Sequence, residues 1–247
     1  MVEVVFKNSL GLKLLGHLVT PESQTQGAVI LSHGFMMDRY ERGHFPKMAE
    51  VLKNNGLASL LFDYTGSGQS EDTAITVTKH TDDLLSAICF IKTLGYRRIG
   101  LLGVSLGGLY SILAYTDEIS AIVLWAPVTA AKVPGKLKEP WVLKDFEEQG
   151  YTLLKNKAGR VFKVDKQYYQ QRLSVDQEAV LSRVHCPVLI LHGSQDTVVP
   201  SSHSERAIKY LPQGSRLWII QEADHSFAGH LDLVITLSSD WLSRFLL

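Results

Sequence analysis

The chain has 247 residues, 45% of them hydrophobic, with 25 Lys/Arg against 25 Asp/Glu and a formal net charge of zero. That length and apolar content suffice for one substantial core, read as one domain with an insertion. The charge balance gives no electrostatic case for nucleic acid, and no segment approaches the roughly 18 continuous apolar residues of a membrane span.

From the N-terminus, residues 2–7 alternate like a strand. They lack the basic start and long apolar run of a signal peptide, so the expected location is cytoplasmic. Strands over 2–7 and 12–19 are predicted to form a hairpin around Asn8-Ser9-Leu10-Gly11. Strand and helix patterns then alternate, with strands near 28–31, 58–62, 99–104, 121–125, 188–191 and 217–220. A helix is expected within 40–55, ended by Gly56, and a closing helix over 231–245. Another is expected over 81–94, where Leu84, Leu85, Ile88, Ile91 and Leu94 make an apolar stripe that Gly95 stops. The pattern predicts an α/β fold: a mostly parallel eight-stranded sheet with helices on both faces. Cys89 falls in a predicted helix and Cys186 at a strand start, and both read as buried thiols rather than a disulfide. No metal-ligand spacing appears, and no cofactor is implied.

The rhythm breaks over 127–183. This segment carries eleven Lys/Arg and seven Asp/Glu, a higher charge density than the rest of the chain. It is predicted to be an inserted cap or lid on a core formed by 1–126 and 184–247. Its positive balance fits a solvated outer face better than a preference for anionic substrates. Its aromatics, Trp141, Phe146, Tyr151, Phe162, Tyr168 and Tyr169, either line an apolar slot or form the small core such an insert needs.

The most informative stretch is Gly103-Val104-Ser105-Leu106-Gly107. It sits between a β-prone run and a helix-compatible one. A serine at so sharp a strand-to-helix turn is exposed at a helix N-terminus, where free N–H groups favour negative charge. A hydroxyl needs a base to take its proton and a carboxylate to orient that base. Asp196 lies on the loop after the strand near 188–191, and His225 on the loop after the strand near 217–220. Three loops at one sheet edge thus supply Ser105, Asp196 and His225. Asp224 is a rival acid, but it is too close in sequence to His225 to brace its ring. His33 and His192 precede loops of the site and read as structural. His17, His44, His80, His185, His203 and His230 read as surface or packing residues. Acyl transfer also develops an oxyanion, which needs preorganised donors. The backbone N–H groups of Leu106 and of Phe35, in Ser32-His33-Gly34-Phe35, are the candidates.

With Ser32-His33-Gly34-Phe35, the run from Phe62 to Ser70 (FDYTGSGQS), the Ser105 turn and the Asp196 and His225 loops, the chain resembles an α/β-hydrolase over nearly its whole length. Within that superfamily it is similar to small capped esterases: cinnamoyl/feruloyl esterases, monoacylglycerol lipases and serine-aminopeptidase-like hydrolases. One departure is Val104, where many of these esterases carry His. The resemblance implies a serine carboxylesterase acting on small esters, hydroxycinnamate or other aromatic esters among them. Thioesterase or monoacylglycerol lipase activity is the alternative within enzymes. A non-catalytic receptor on the same scaffold is the alternative outside them, and a receptor needs no general base. Nothing specific for a peptide N-terminus is visible.

Overall fold

The computed structural model describes residues 1–131 and 134–247; residues 132 and 133, inside the predicted insertion, lie outside the described residues. The strands are β1 (Val2–Lys7), β2 (Lys13–Val19), β3 (Gly27–Ser32), β4 (Ala58–Phe62), β5 (Arg98–Val104), β6 (Ile119–Trp125), β7 (Tyr151–Lys155), β8 (Val161–Asp165), β9 (Val188–Gly193) and β10 (Arg216–Ile220). The main helices are α1 (His44–Asn54), α2 (Val77–Thr93), α3 (Leu106–Leu113), α4 (Pro140–Glu148), α5 (Lys166–Ser174), α6 (Gln177–Ser182), α7 (Ser202–Ala207) and α8 (Leu231–Leu246).

The main sheet has eight strands in the order β1-β2-β4-β3-β5-β6-β9-β10. Strand β2 runs antiparallel to both β1 and β4, and the remaining pairs are parallel. The central strands are buried on both faces, and their period of two divides the core. Val29, Leu31, Leu61, Leu102, Val123 and Leu191 pack with Phe45, Met48 and Leu52 of α1 and Val234 and Leu242 of α8. Their neighbours Ala28, Ile30, Leu60, Leu101, Ile122 and Ile190 pack with Leu84, Ile88 and Ile91 of α2 and Leu109 and Ile112 of α3. Fully burying one such side chain contributes about 1.5–3 kcal/mol, so this double layer dominates the stability.

The segment between β6 and β9 contains α4, an antiparallel β7–β8 hairpin, α5 and α6. Its buried residues, Leu137, Val142, Phe146, Leu154, Phe162, Val164, Tyr168 and Leu181, continue the α2/α3 core. Gln171 of α5 accepts from the Val77 and Thr78 N–H groups at 2.8 and 3.2 Å, satisfying two otherwise unbonded donors at the start of α2.

Two sequence expectations are corrected. Helix α2 begins at Val77, after the Thr76 N-cap, not at 81. Its buried face extends through His80 and Asp83, polar residues that hide the apolar period. Leu94 lies beyond the helix and is 45% exposed. The helix expected within 40–55 is α1, preceded by a 3-10 turn over Glu41–Gly43 whose three residues all have positive φ. Cys89 is exposed rather than buried, whereas Cys186 is buried, and both are free thiols.

Candidate active site

Parallel pairing fixes where the site lies. Val104 stands opposite Trp125, Trp125 opposite Leu191, and Gly193 opposite Ile220. The turns that follow β5, β9 and β10 therefore leave the sheet along one edge. At the first of them Ser105 adopts φ 53° and ψ −112°, a conformation that costs an L-residue on the order of 1–3 kcal/mol and persists only where its surroundings over-determine it. They do so here. Ser105 N–H donates to Trp125 O at 2.8 Å, and Val128 N–H donates to Ser105 O at 2.9 Å. A Cβ at Gly107 would overlap the Ser32 carbonyl, and one at Gly103 would meet Gly107 O at 2.5 Å. Both glycines of the motif are needed for β3, β5 and α3 to approach so closely.

Asp196 divides its two oxygens between tasks. Oδ1 accepts from the Val198 and Val199 N–H groups, each at 2.8 Å, which folds the loop. Oδ2 lies 2.6 Å from His225 Nδ1 and 3.2 Å from His192 Nε2. Burial alone would raise the Asp196 carboxyl. The hydrogen bonds from His192, His225 and Val199 outweigh it and hold the group well below the usual carboxylate range. An ionised Asp196 only accepts, so His225 Nδ1 carries a proton and Nε2 is left to accept. That Nε2 lies 3.2 Å from Ser105 Oγ. His192 is fixed in the opposite sense: its Nε2 donates to Val199 O at 2.8 Å, and its Nδ1 faces Ser204 Oγ at 2.7 Å. Asp224 is exposed and accepts from Ser226 and Ala228 N–H, shaping the His225 loop without reaching the ring.

Ser105 and His225 open onto a cavity of about 420 Å³. Phe35, Leu106, Val128, Pro134 and Tyr168 are among its apolar lining; Glu41, Arg42, His44 and His203 are among its polar lining. Phe35 N–H and Leu106 N–H meet no acceptor among the described residues. Leu106 opens α3, where a backbone N–H has no intrahelical partner. Glu41 is 3% exposed, and its Oε2 accepts from Gly34 N–H at 2.6 Å. Burial pushes its carboxyl up to about 7, against that hydrogen bond and the Arg42 charge. Among the described residues, no group of three or more His, Cys, Asp and Glu is placed to hold a metal ion. No helix there is long and apolar enough to cross a membrane.

The structure thus brings Ser105, Asp196, His225, Phe35 and Leu106 to one place. It also separates the six aromatics of the 127–183 segment. Only Tyr168 lines the cavity, stacked on Phe35 with ring centroids 5.3 Å apart. Phe146 and Phe162 are buried in the core, Tyr169 packs on Phe146, Tyr151 lies under Lys163, and Trp141 is 51% exposed. His44 and His203, expected to be ordinary surface or packing residues, line the cavity. Glu41 and Arg172 were not foreseen as lining residues, and their one sequence signal is a charge at an otherwise unremarkable position.

A profile of the serine aminopeptidase S33 family matches residues 23–180. An uncharacterised protein of Mycobacterium tuberculosis is 27% identical, over 99% of this chain and 78% of its own length. Est1E from Butyrivibrio proteoclasticus, solved with ferulic acid bound, superposes with a TM-score of 0.82 at 28% identity, covering 98% of both chains. The monoacylglycerol lipase of Paleococcus ferrophilus superposes with a TM-score of 0.75 at 19% identity, over 93% of this chain and 99% of its own, a likeness of fold alone. With the sheet order and the Ser105 turn already described, the profile match establishes that the chain is an α/β-hydrolase of the serine aminopeptidase S33 family.

Proposed function

We propose that the protein is a serine carboxylesterase, with Ser105 as nucleophile, His225 as general base and acid, and Asp196 as the group that orients and charges the base. The observation that carries this reading is the hydrogen-bonded line from Asp196 Oδ2 through His225 to Ser105 Oγ, opening onto a largely apolar cavity. Ser105 Oγ attacks the ester carbonyl as its proton passes to His225 Nε2. The oxyanion sits against the Phe35 and Leu106 N–H groups. His225 returns the proton to the departing alcohol, leaving an acyl-enzyme. Water then gives a proton to His225 and its oxygen to the acyl carbon, and Ser105 is released protonated. Asp196 keeps the ring in the required tautomer and stabilises the imidazolium.

The 127–183 segment serves as a cap on the 1–126 and 184–247 core, because Val128, Pro134, Gly135, Tyr168 and Arg172 all line the cavity. Esters with an aromatic acyl group are the preferred class. Est1E binds ferulic acid, and here Phe35 and Tyr168 offer stacked rings beside Ser105. The test is a fluorophosphonate probe followed by turnover of p-nitrophenyl esters, methyl hydroxycinnamates, monoacylglycerols and acyl thioesters. The probe labels the wild type once and leaves Ser105→Ala unlabelled. Labelling that persists in Ser105→Ala overturns the nucleophile, and faster turnover of thioesters or monoacylglycerols overturns the substrate class.

A further inference from the structure

The β7–β8 hairpin of the cap touches the loop that carries Phe35. Asn156 sits at its tip. The Asn156 Oδ1 accepts from Arg160 N–H at 3.0 Å and closes the turn, while its Nδ2 donates to Met36 O at 3.1 Å. Met36 is buried and has φ 58°, a left-handed conformation that a residue with a side chain holds only under external constraint. Within the loop, the Met37 N–H to Gly34 O bond is long, at 3.3 Å. Besides His33 Nδ1, 2.9 Å from Gly34 O, the loop is held from outside this turn: Glu41 Oε2 accepts from Gly34 N–H at 2.6 Å, Asn156 Nδ2 donates to Met36 O at 3.1 Å, and the Tyr168 ring stacks on Phe35. Phe35 N–H lies between the points fixed by Glu41 and Asn156.

The hairpin is itself anchored. Ile75 N–H donates to Lys163 O at 2.8 Å, Asp165 N–H donates to Ile75 O at 3.1 Å, and the Arg160 guanidinium donates to Gly68 O. Asn156 is therefore presented from a frame tied to the core rather than from a loose flap.

We propose that Asn156 is a positioning residue: by holding the Met36 carbonyl, it aims the Phe35 N–H at the oxyanion of the transition state. The inference rests on the esterase reading above and extends it, since it gives the cap a part in rate as well as in selection. The oxyanion occupies the same point for every acyl group, so the effect is common to small and large esters.

Asn156→Asp is the discriminating variant. It keeps the oxygen that closes the turn, removes the donor, and sets a carboxylate oxygen against the Met36 carbonyl. Asn156→Ala removes the donor without that repulsion. The measurements are kcat and KM on p-nitrophenyl acetate and p-nitrophenyl butyrate, and the inhibition constant of phenylboronic acid, whose tetrahedral adduct on Ser105 places an oxygen in the oxyanion position. Loss of a whole oxyanion donor costs about 10²- to 10³-fold, so a mis-aimed one is expected to lower kcat about tenfold on both esters. KM is expected to stay within about twofold, and the boronic acid to bind about tenfold more weakly. A residue that only holds the cap down would change KM and selectivity and leave the boronic acid alone. The proposal is overturned if kcat, or the boronic acid affinity, of both variants stays within about twofold of wild type. A wild type that does not hydrolyse these esters would instead overturn the esterase reading.

Discussion

The loops that carry Ser105, Asp196 and His225 and the loop that carries Phe35 meet at one cavity, yet they are built differently. The first three are braced mainly by backbone hydrogen bonds to neighbouring strand ends and to one another, and by carboxylates within their own turns. Ser105 N–H bonds Trp125 O, Gln195 N–H bonds Ala223 O at 2.9 Å, and Asp196 and Asp224 each fold their own turn. The Phe35 loop is held by side chains arriving from Glu41, Asn156 and Tyr168. On the proposed reading, the three groups that carry the chemistry sit on turns braced by backbone hydrogen bonds at strand ends. The proposed oxyanion donor, Phe35 N–H, depends instead on side chains from segments that also line the pocket or adjoin it.

The sharpest test of the backbone-braced side is the pair Asp196→Asn and Asp224→Asn. In the first variant a neutral amide faces His225 and cannot charge-stabilise the imidazolium. A cost on the order of 10³ to 10⁴ in kcat is expected by analogy with serine proteases. Asp224→Asn keeps an oxygen for the Ser226 and Ala228 N–H groups, and kcat is expected within a few-fold of wild type. Steady-state kinetics on p-nitrophenyl acetate, with folding checked by circular dichroism, decides. A crippled Asp224→Asn beside a mild Asp196→Asn would reverse the assignment of the acid.

These differences also decide what could be read from sequence. The Ser105 turn was legible because its constraints are local: two glycines, a preceding apolar run and a following helix. Asp196 and His225 were legible because each follows a recognisable strand. Glu41 was not, since its role comes from successive positive-φ residues, two of which are not glycine. Asn156 and Met36 are 120 residues apart, and neither carries a motif. In α2, His80 and Asp83 are buried with partners, so the apolar period understated the helix by a turn. The cap aromatics could not be assigned to core or slot by residue type, because the same rings serve either purpose.

The Phe35 loop has its own test in Glu41. Its carboxyl is raised by burial from an ordinary value near 4.5 to about 7. The folded protein therefore binds this proton more tightly than the unfolded chain does. The group costs stability as pH rises from about 4.5 to 7, and the full cost is present above that window. Glu41→Gln keeps an oxygen for Gly34 N–H and removes the charge. The variant is expected to gain on the order of 3 kcal/mol in urea unfolding near pH 8, at about 1.4 kcal/mol per pKa unit, and well under half of that near pH 5. Equal stability of the two proteins at both pH values would show that Glu41 is not the buried titrating group.

The smallest expected effect separates the two roles proposed for the 127–183 segment, selection and aiming. Tyr168 lines the cavity and also stacks on Phe35, so Tyr168→Ala disturbs both. The ratio of kcat/KM for an aromatic ester to that for p-nitrophenyl acetate isolates the first, because loosening the Phe35 N–H slows both substrates alike and cancels. A lost apolar contact is worth roughly 1–3 kcal/mol of discrimination, so the ratio should fall by about tenfold. Trp141, half exposed and away from the cavity lining, should leave the ratio within about twofold when changed to Ala. Phe162→Ala should do the same to the ratio while lowering stability by about 3–5 kcal/mol, the usual cost of removing a buried phenyl ring. If Tyr168→Ala leaves the ratio unchanged while its acetate kcat falls, the stacked pair serves aiming alone, and selection passes to other apolar lining such as Val128 and Pro134.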